Sequence, residues 1–234
     1  MDQVDISFIL DSHWYGGLYY LLNTTDTWQQ WIEGEAKSYH YTPEVAEKLY
    51  KVLGANRYII HDRRVIDLAC NLGYMSLACS NMGARWVLGV EARDIYIKPF
   101  NQVLDHWPTK NVSMVQGDIE NTDFLETIIK GYDTILYSGH FYYQSTHEKI
   151  IEIFTKSQCS AIIIESLHPS NNHLLDEIFY QQDNAVDLLG TINAKITGAP
   201  TIVRTQKLLE SFGWHVAYKD TIKAFDTFVI TATR

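Results

Sequence analysis

The amino-acid sequence predicts an α/β protein with a doubly wound, mostly parallel sheet of seven strands that ends in an antiparallel C-terminal hairpin. β-rich runs alternate with helical patterns across residues 64–165, which is typical of parallel strands joined by crossover helices. The fifth run, 160–165, is almost entirely apolar, as expected of a central strand covered on both faces. Two more strand patterns, 215–222 and 227–233, follow one another so closely that they can pair only as an antiparallel hairpin.

Each of the remaining elements has its own signal in the sequence. The first helix is predicted at Thr42–Leu53, with Pro43 at its first helical position and Gly54 after its end. β-branched runs and amphipathic runs predict the elements that follow. The first four strands are expected at 64–69, 86–91, 112–116 and 132–138, and the other helices at 74–82, 94–106, 122–130, 146–156 and 202–212.

Composition indicates an ordinary globular protein and excludes several classes. With 46% hydrophobic and 20% charged residues, the chain has no apolar run near the roughly 18 residues that span a bilayer. The first residues lack the basic region of a secretory signal, so a cytoplasmic location without a membrane partner is expected. A net charge of −9 argues against broad capture of nucleic acid but leaves a small RNA contact open. Cys70, Cys79 and Cys159 have no metal-ligand spacing and indicate reduced thiols, and no other metal motif is present.

A loop at the end of the first strand carries the first functional signal. Asp67-Leu-Ala-Cys-Asn-Leu-Gly73 opens the next helix, where a tight turn lets the backbone and the helix amides approach a ligand. The loop resembles the D-x-G-x-G-x-G signature of class I S-adenosylmethionine (SAM)-dependent methyltransferases, with Ala69 and Asn71 at the first two glycine positions. Alanine costs little there if its φ stays negative, and asparagine tolerates left-handed backbone. The resemblance implies a Rossmann-like sheet with SAM bound over this loop and S-adenosylhomocysteine as product.

Residues after the second and third strands extend the resemblance. Glu91 lies 24 residues beyond Asp67, where a carboxylate accepts hydrogen bonds from both ribose hydroxyls. The alternative is a surface glutamate paired with Arg93. Asp118 would contact the adenine amine and Ile119 would pack on the ring, unless Asp118 is only a helix N-cap. The residues implied in cofactor binding are Asp67, Ala69, Cys70, Asn71, Gly73, Tyr74, Glu91, Ala92, Asp118, Ile119 and Ser138.

Residues after the fourth and fifth strands are the candidates for the acceptor side. Ser138-Gly-His-Phe-Tyr-Tyr-Gln144 resembles the S-x-G-V-L-Y-H segment of enzymes that modify the wobble uridine of transfer RNA, a distant similarity over about residues 60–170. Tyr143 stands where that family has histidine, so we expect His140 to be the base and Tyr143 and Glu165 to orient substrate. Glu165 could also pair with His168. Alternatively, His140 is structural, Glu165 is a cap, and His168 lies in an exposed turn.

Two segments lie outside the alternating pattern. Residues 1–42 are rich in aromatic side chains and are expected to form an N-terminal lid on a domain spanning 43–234. Residues 167–200 carry prolines, glycines and asparagines around a helix-like patch at 174–180. We expect this second segment to be a substrate-side insertion.

The functional hypothesis is methyl transfer from SAM to an unidentified acceptor, a small molecule or a sugar. One alternative is an RNA-modifying transferase of the wobble-uridine type, for which Lys37, Lys98 and Arg204 are the candidate basic side chains. Another is a non-catalytic SAM-binding module, suggested by the two substituted glycines. The sequence assigns neither the acceptor atom nor the oligomeric state.

Overall fold

The computed structural model describes residues 43–106, 110–168, 175–186 and 192–234. The expected lid at 1–42, and Lys37 within it, therefore lie outside the described residues. The helices are α1 (Pro43–Val52), α2 (Tyr74–Asn81), α3 (Asp94–His106), α4 (Thr122–Ile128), α5 (His147–Lys156) and α6 (Ile202–Ser211). The strands are β1 (Arg64–Leu68), β2 (Trp86–Glu91), β3 (Val112–Gln116), β4 (Thr134–Ser138), β5 (Ala161–Leu167), β6 (Ile178–Val186), β7 (Ile192–Pro200), β8 (His215–Ile222) and β9 (Thr227–Thr233).

The main sheet confirms the predicted fold class. Its seven strands lie in the order β3-β2-β1-β4-β5-β9-β8. β1 to β5 are parallel, whereas β9 runs antiparallel to both β5 and β8. Strand order reverses between β1 and β4, so the crevice beyond their carboxyl ends is where an open α/β sheet binds ligands.

Alternation along the strands divides the apolar core between the two faces of the sheet. Neighbouring side chains of a strand point to opposite faces, and accordingly Val65 packs in one cluster while Ile66 packs in the other. Residues of α1, α2 and α3 contribute to the first cluster, and residues of α4, α5 and α6 to the second. The domain therefore has three layers, and the central strands are buried on both faces.

The predicted helix-like patch at 174–180 is wrong. Ile178–Val186 is a strand instead, paired antiparallel with Ile192–Pro200 over nine residues in a separate two-stranded sheet. The β-branched and aromatic residues at its start favour a strand, and the cross-strand partner supplies the backbone hydrogen bonds. On this β6–β7 hairpin, Tyr180 is exposed while Thr197 is fully buried, so one face is open and the other is covered.

The β6–β7 hairpin is attached beside the segment that follows β4. The Gly198 amide donates to the Gln144 carbonyl at 3.0 Å. Nearby, the fully buried His147 ring has Nε2 3.0 Å from the Phe141 carbonyl oxygen. Burial lowers the pKa of His147, opposed by the backbone of Phe141 and Gly198, so the imidazole is neutral near pH 7. The hairpin therefore lies next to the candidate acceptor residues.

Candidate functional site

The loop after β1 has a left-handed backbone at all three positions that correspond to glycine in the signature. φ is +58° at Ala69, +54° at Asn71 and +70° at Gly73. The condition under which alanine would cost little at Ala69, a negative φ, is therefore not met. A left-handed alanine costs about 1 kcal/mol, and such strain persists only where the surrounding structure enforces it. The loop thus keeps the shape that three glycines would give, although two of them are absent.

Hydrogen bonds to β2 fix this loop. The Cys70 amide donates to the Val90 carbonyl at 2.9 Å, and the Asn71 amide donates to Glu91 Oε2 at 2.9 Å. Gly73 is then the N-cap of α2 and makes no side-chain hydrogen bond, so the amino end of this helix, where backbone amides can bind a ligand, lies at the loop. The loop and the carboxylate, which the sequence placed separately, therefore form one unit.

Glu91 is buried at the end of β2, so its description as a surface residue is wrong. Its predicted pairing with Arg93 is nevertheless present, since Arg93 Nε lies 2.8 Å from Oε1. The Arg93 backbone amide also donates to Oε1 at 2.9 Å. A buried carboxylate beside a left-handed loop has the acceptor chemistry that a ribose diol would use.

Asp67 lies beneath the loop and does not face solvent. Its Oδ2 accepts a 2.6 Å hydrogen bond from the Ser76 hydroxyl. Burial, followed by the charge of Glu91, raises the pKa of Asp67 to about 7, while the hydrogen bonds from Ser76 oppose the shift. Asp67 is therefore placed to support the loop from below.

The raised pKa of Asp67 gives a prediction for stability against pH. The folded state keeps a proton that the unfolded state loses near the ordinary aspartate pKa of 3.8. The free energy of unfolding should therefore fall between about pH 4 and 7, by up to about 1.4 kcal/mol per pH unit from this group. Urea unfolding of wild type and Asp67→Asn from pH 5 to 8 measures the difference. Parallel profiles would contradict the assignment.

Asp118, at the end of β3, was predicted either to contact adenine or to be the N-cap of the next helix, and the structure tests the second interpretation. The N-cap of α4 is Asn121, whose Oδ1 accepts from the amides of Asp123 and Phe124. Asp118 is therefore not that cap. It is exposed and holds only a local turn, through a 2.9 Å hydrogen bond from the Glu120 amide.

Ile119 and Ala92 lie beside Asp118. The Ile119 side chain is buried within the core, so only a small part of it is accessible to a ring. Gln116 Nε2 donates to the Ala92 carbonyl at 3.1 Å and ties the ends of β2 and β3 together. The adenine contacts of Asp118 and Ile119 stay a prediction.

At the ends of β4 and β5, the structure brings Ser138 and Glu165 together and adds a residue that the sequence did not reveal. The Ser138 hydroxyl donates to Glu165 Oε2 at 2.8 Å. Lys48 lies on α1, and its Nζ is 3.0 Å from Glu165 Oε1. The two groups form an ion pair, but their relative orientation does not make a hydrogen bond. Glu165 is fully buried and Lys48 is 16% exposed in its side chain. Lys48 has no motif around it, because its pairing depends on how α1 packs against the sheet.

The remaining acceptor-side candidates lie in and beyond the short 3₁₀ turn Phe141–Tyr143. The His140 ring lies 5.5 Å from the Tyr143 ring and 6.0 Å from the buried Tyr137 ring, measured between centroids. Both His140 and Tyr143 are partly exposed. His168 is buried against Phe228, so its assignment to an exposed turn is wrong.

Tyr74 and the cysteines complete the predicted residues. Tyr74 is partly buried at the start of α2. Cys70, Cys79 and Cys159 are free and buried, and burial raises the pKa of each thiol, which suits packing rather than nucleophilic chemistry. Among the described residues, no group of three or more metal-ligating side chains comes together. None of the helices in these ranges has the length and apolarity needed to cross a bilayer.

Solved structures with the same fold are SAM-dependent methyltransferases. No family model matches the chain. A SAM-dependent methyltransferase from Mesorhizobium loti superposes with a TM-score of 0.55 at 14% identity, covering 82% of this chain and 98% of that one. A SAM-dependent methyltransferase from Aquifex aeolicus gives 0.54 at 14% identity, covering 79% and 92%. The N-terminal domain of EvdMO1, solved in the presence of S-adenosylhomocysteine and D-fucose, gives 0.59 at 16% identity, covering 77% and 81%.

These likenesses establish the architecture. The chain has the Rossmann-like fold of SAM-dependent methyltransferases, with an antiparallel strand at the C-terminal edge of its sheet. The similarity spans most of the chain and nearly all of the Mesorhizobium loti protein. The β6–β7 hairpin is a separate two-stranded sheet attached to this fold.

Proposed function

We propose that the protein is a SAM-dependent methyltransferase acting on a small-molecule or sugar acceptor. The observation that carries the proposal is the direct 2.9 Å hydrogen bond between the left-handed loop at Asn71 and the buried carboxylate of Glu91. A loop of this shape and a ribose-binding carboxylate form one unit at the switch point of the sheet. Their arrangement fits an adenosine cofactor.

Each part of the proposed cofactor site has a distinct task. The Glu91 carboxylate would accept hydrogen bonds from the ribose hydroxyls, and Asp118 and Ile119 would flank the adenine. The loop around Asn71 and Gly73 would pack against the methionine half with its backbone. When bound, SAM supplies a methyl group on a sulfonium that is already activated for displacement. The protein then needs chiefly to align an acceptor with it.

The acceptor would lie beyond Ser138, between the 3₁₀ turn and the β6–β7 hairpin. His140 is the proposed base for an acceptor hydroxyl or amine, because its imidazole is partly exposed at this position. Tyr143 would orient the acceptor from the neighbouring ring position. Glu165 is proposed to act through Ser138, since its carboxylate is fully buried and holds the serine hydroxyl. The hairpin and residues 1–42 are proposed as the walls of the acceptor pocket.

A small acceptor agrees better with the charge of the chain than an RNA does. The formal net charge is −9, whereas phosphate backbones are bound through clustered lysine and arginine. Two of the basic candidates for RNA are engaged elsewhere: Lys98 pairs with Asp94, and Arg204 pairs with Glu148. A wobble-uridine acceptor is therefore the less favoured alternative.

Calorimetric titration with S-adenosylhomocysteine tests the cofactor proposal. We expect saturable binding, weakened about ten- to a hundredfold by Glu91→Ala, because a charged acceptor of two hydrogen bonds is lost. Asp94→Ala is the matched control, since this carboxylate is 60% exposed and pairs with the surface residue Lys98. Failure of the folded wild-type protein to bind would refute the proposal.

A further inference from the structure

The Arg93 side chain is held by the same carboxylate that the ribose would use. Its Nε lies 2.8 Å from Glu91 Oε1 and its Nη2 lies 3.3 Å from Glu91 Oε2. The guanidinium carbon also lies 4.2 Å from the centre of the Tyr96 ring, a cation–π distance. The Arg93 guanidinium therefore contacts both oxygens of the carboxylate and also an aromatic ring.

Counting acceptor positions shows that this carboxylate is fully used. An ionised carboxylate offers about four lone-pair positions. The backbone amides of Asn71 and Arg93 take two of them, at 2.9 Å each. Both amides belong to the fixed backbone of the loop and the strand end, so they stay in place. The guanidinium of Arg93 takes the other two.

We propose that Arg93 is a latch that competes with the ribose hydroxyls for Glu91, an inference that rests on the proposed cofactor site. A ribose diol needs two acceptor positions, and only those held by the Arg93 guanidinium can be vacated. The Arg93 side chain is 48% exposed, so its release has a modest cost in free energy. The Tyr96 ring gives the released guanidinium a second contact.

The latch sets the affinity for the adenosine part of the cofactor. Every binding event must first break the guanidinium–carboxylate contact, so part of the hydrogen-bond free energy is spent on displacement. Arg93→Met removes the competitor and keeps an unbranched apolar stem for packing on Tyr96. This variant should therefore bind S-adenosylhomocysteine about three- to tenfold more tightly than wild type.

A double-mutant cycle with S-adenosylhomocysteine as the titrant tests the latch. The four proteins are wild type, Arg93→Met, Glu91→Gln and the double variant, and thermal unfolding checks that each is folded. We expect Arg93→Met to tighten binding in the Glu91 background and to leave it unchanged in the Glu91→Gln background. The amide of glutamine keeps one acceptor oxygen but no charge to hold the guanidinium.

Two results would overturn the latch. Weaker or unchanged binding by Arg93→Met would show that Arg93 supports the cofactor or takes no part in its binding. An equal gain in both backgrounds would show that Arg93 acts on the cofactor without competing for Glu91. Absence of binding in all four folded proteins would instead refute the proposed cofactor site, so the two failures are distinguishable.

Discussion

Replacing Lys48 with methionine is expected to lower the free energy of unfolding by about 3–5 kcal/mol. Lys48 is the cation that lies 3.0 Å from the fully buried Glu165 carboxylate. Among the described residues, its loss leaves that carboxylate with the hydrogen bond from the Ser138 hydroxyl, and an uncompensated buried charge is costly. Urea unfolding of Lys48→Met at neutral pH measures the effect.

Two further variants test whether the loss of stability comes from the unpaired charge of Glu165 and not from replacing a lysine on a helix. Lys98→Met removes a lysine from an exposed ion pair with Asp94 and should change stability by less than about 1 kcal/mol. The double variant Lys48→Met with Glu165→Gln removes both charges and should recover part of the loss. A small effect of Lys48→Met alone would show that Glu165 does not depend on α1 for its charge balance.

Gly73→Ala should produce the second largest effect, a loss of about 2–4 kcal/mol. The backbone at Gly73 has φ of +70°, and an added Cβ would lie 2.2 Å from the Phe100 ring. Phe100 is fully buried and cannot move aside cheaply. Thermal unfolding measures the loss, and S-adenosylhomocysteine should stabilise this variant less than wild type.

The control for Gly73→Ala is the reverse change, alanine to glycine, at another position of the same loop. Ala69→Gly places glycine where φ is +58°, so the strain of a left-handed alanine disappears. The released strain, about 1 kcal/mol, offsets the greater freedom of glycine in the unfolded chain. Stability should therefore change little or rise. A loss as large as that of Gly73→Ala would mean that side-chain packing, not backbone conformation, decides the loop.

Most of the fold was predictable because strand and helix patterns alternate along the chain and are bounded by residues such as Pro43 and Gly54. The patterns at 86–91, 112–116, 215–222 and 227–233 coincide with strands, and 94–106 coincides with a helix. The exception is 174–180, because this run is too short for its period to distinguish a strand from a helix, although its β-branched and aromatic residues favour a strand. Its antiparallel pairing with 192–200 cannot be seen in either run alone.

Parts of the candidate site were predictable where a motif calls for a particular residue type at a particular spacing. The spacing from Asp67 singled out Glu91 as a candidate, and the structure joins its carboxylate to the loop at Asn71, while its ribose contact stays a prediction. Lys48 shows the limit, because its contact with Glu165 depends on how α1 packs against the sheet. For Arg93, the pairing with Glu91 was predicted but the contact with the Tyr96 ring was not. Backbone strain at Ala69 was also beyond sequence reasoning, since alanine ordinarily avoids left-handed conformations.

The left-handed loop has a consequence for how such a loop can be recognised in a protein chain. A signature written in letters rejects the loop at Ala69 and Asn71, two of its three glycine positions. The same signature written as the signs of three dihedral angles accepts it, because φ is positive at 69, 71 and 73. The path of the chain therefore satisfies the signature at a place where two of its letters do not, and a search by backbone path would find a loop that a search by residue overlooks.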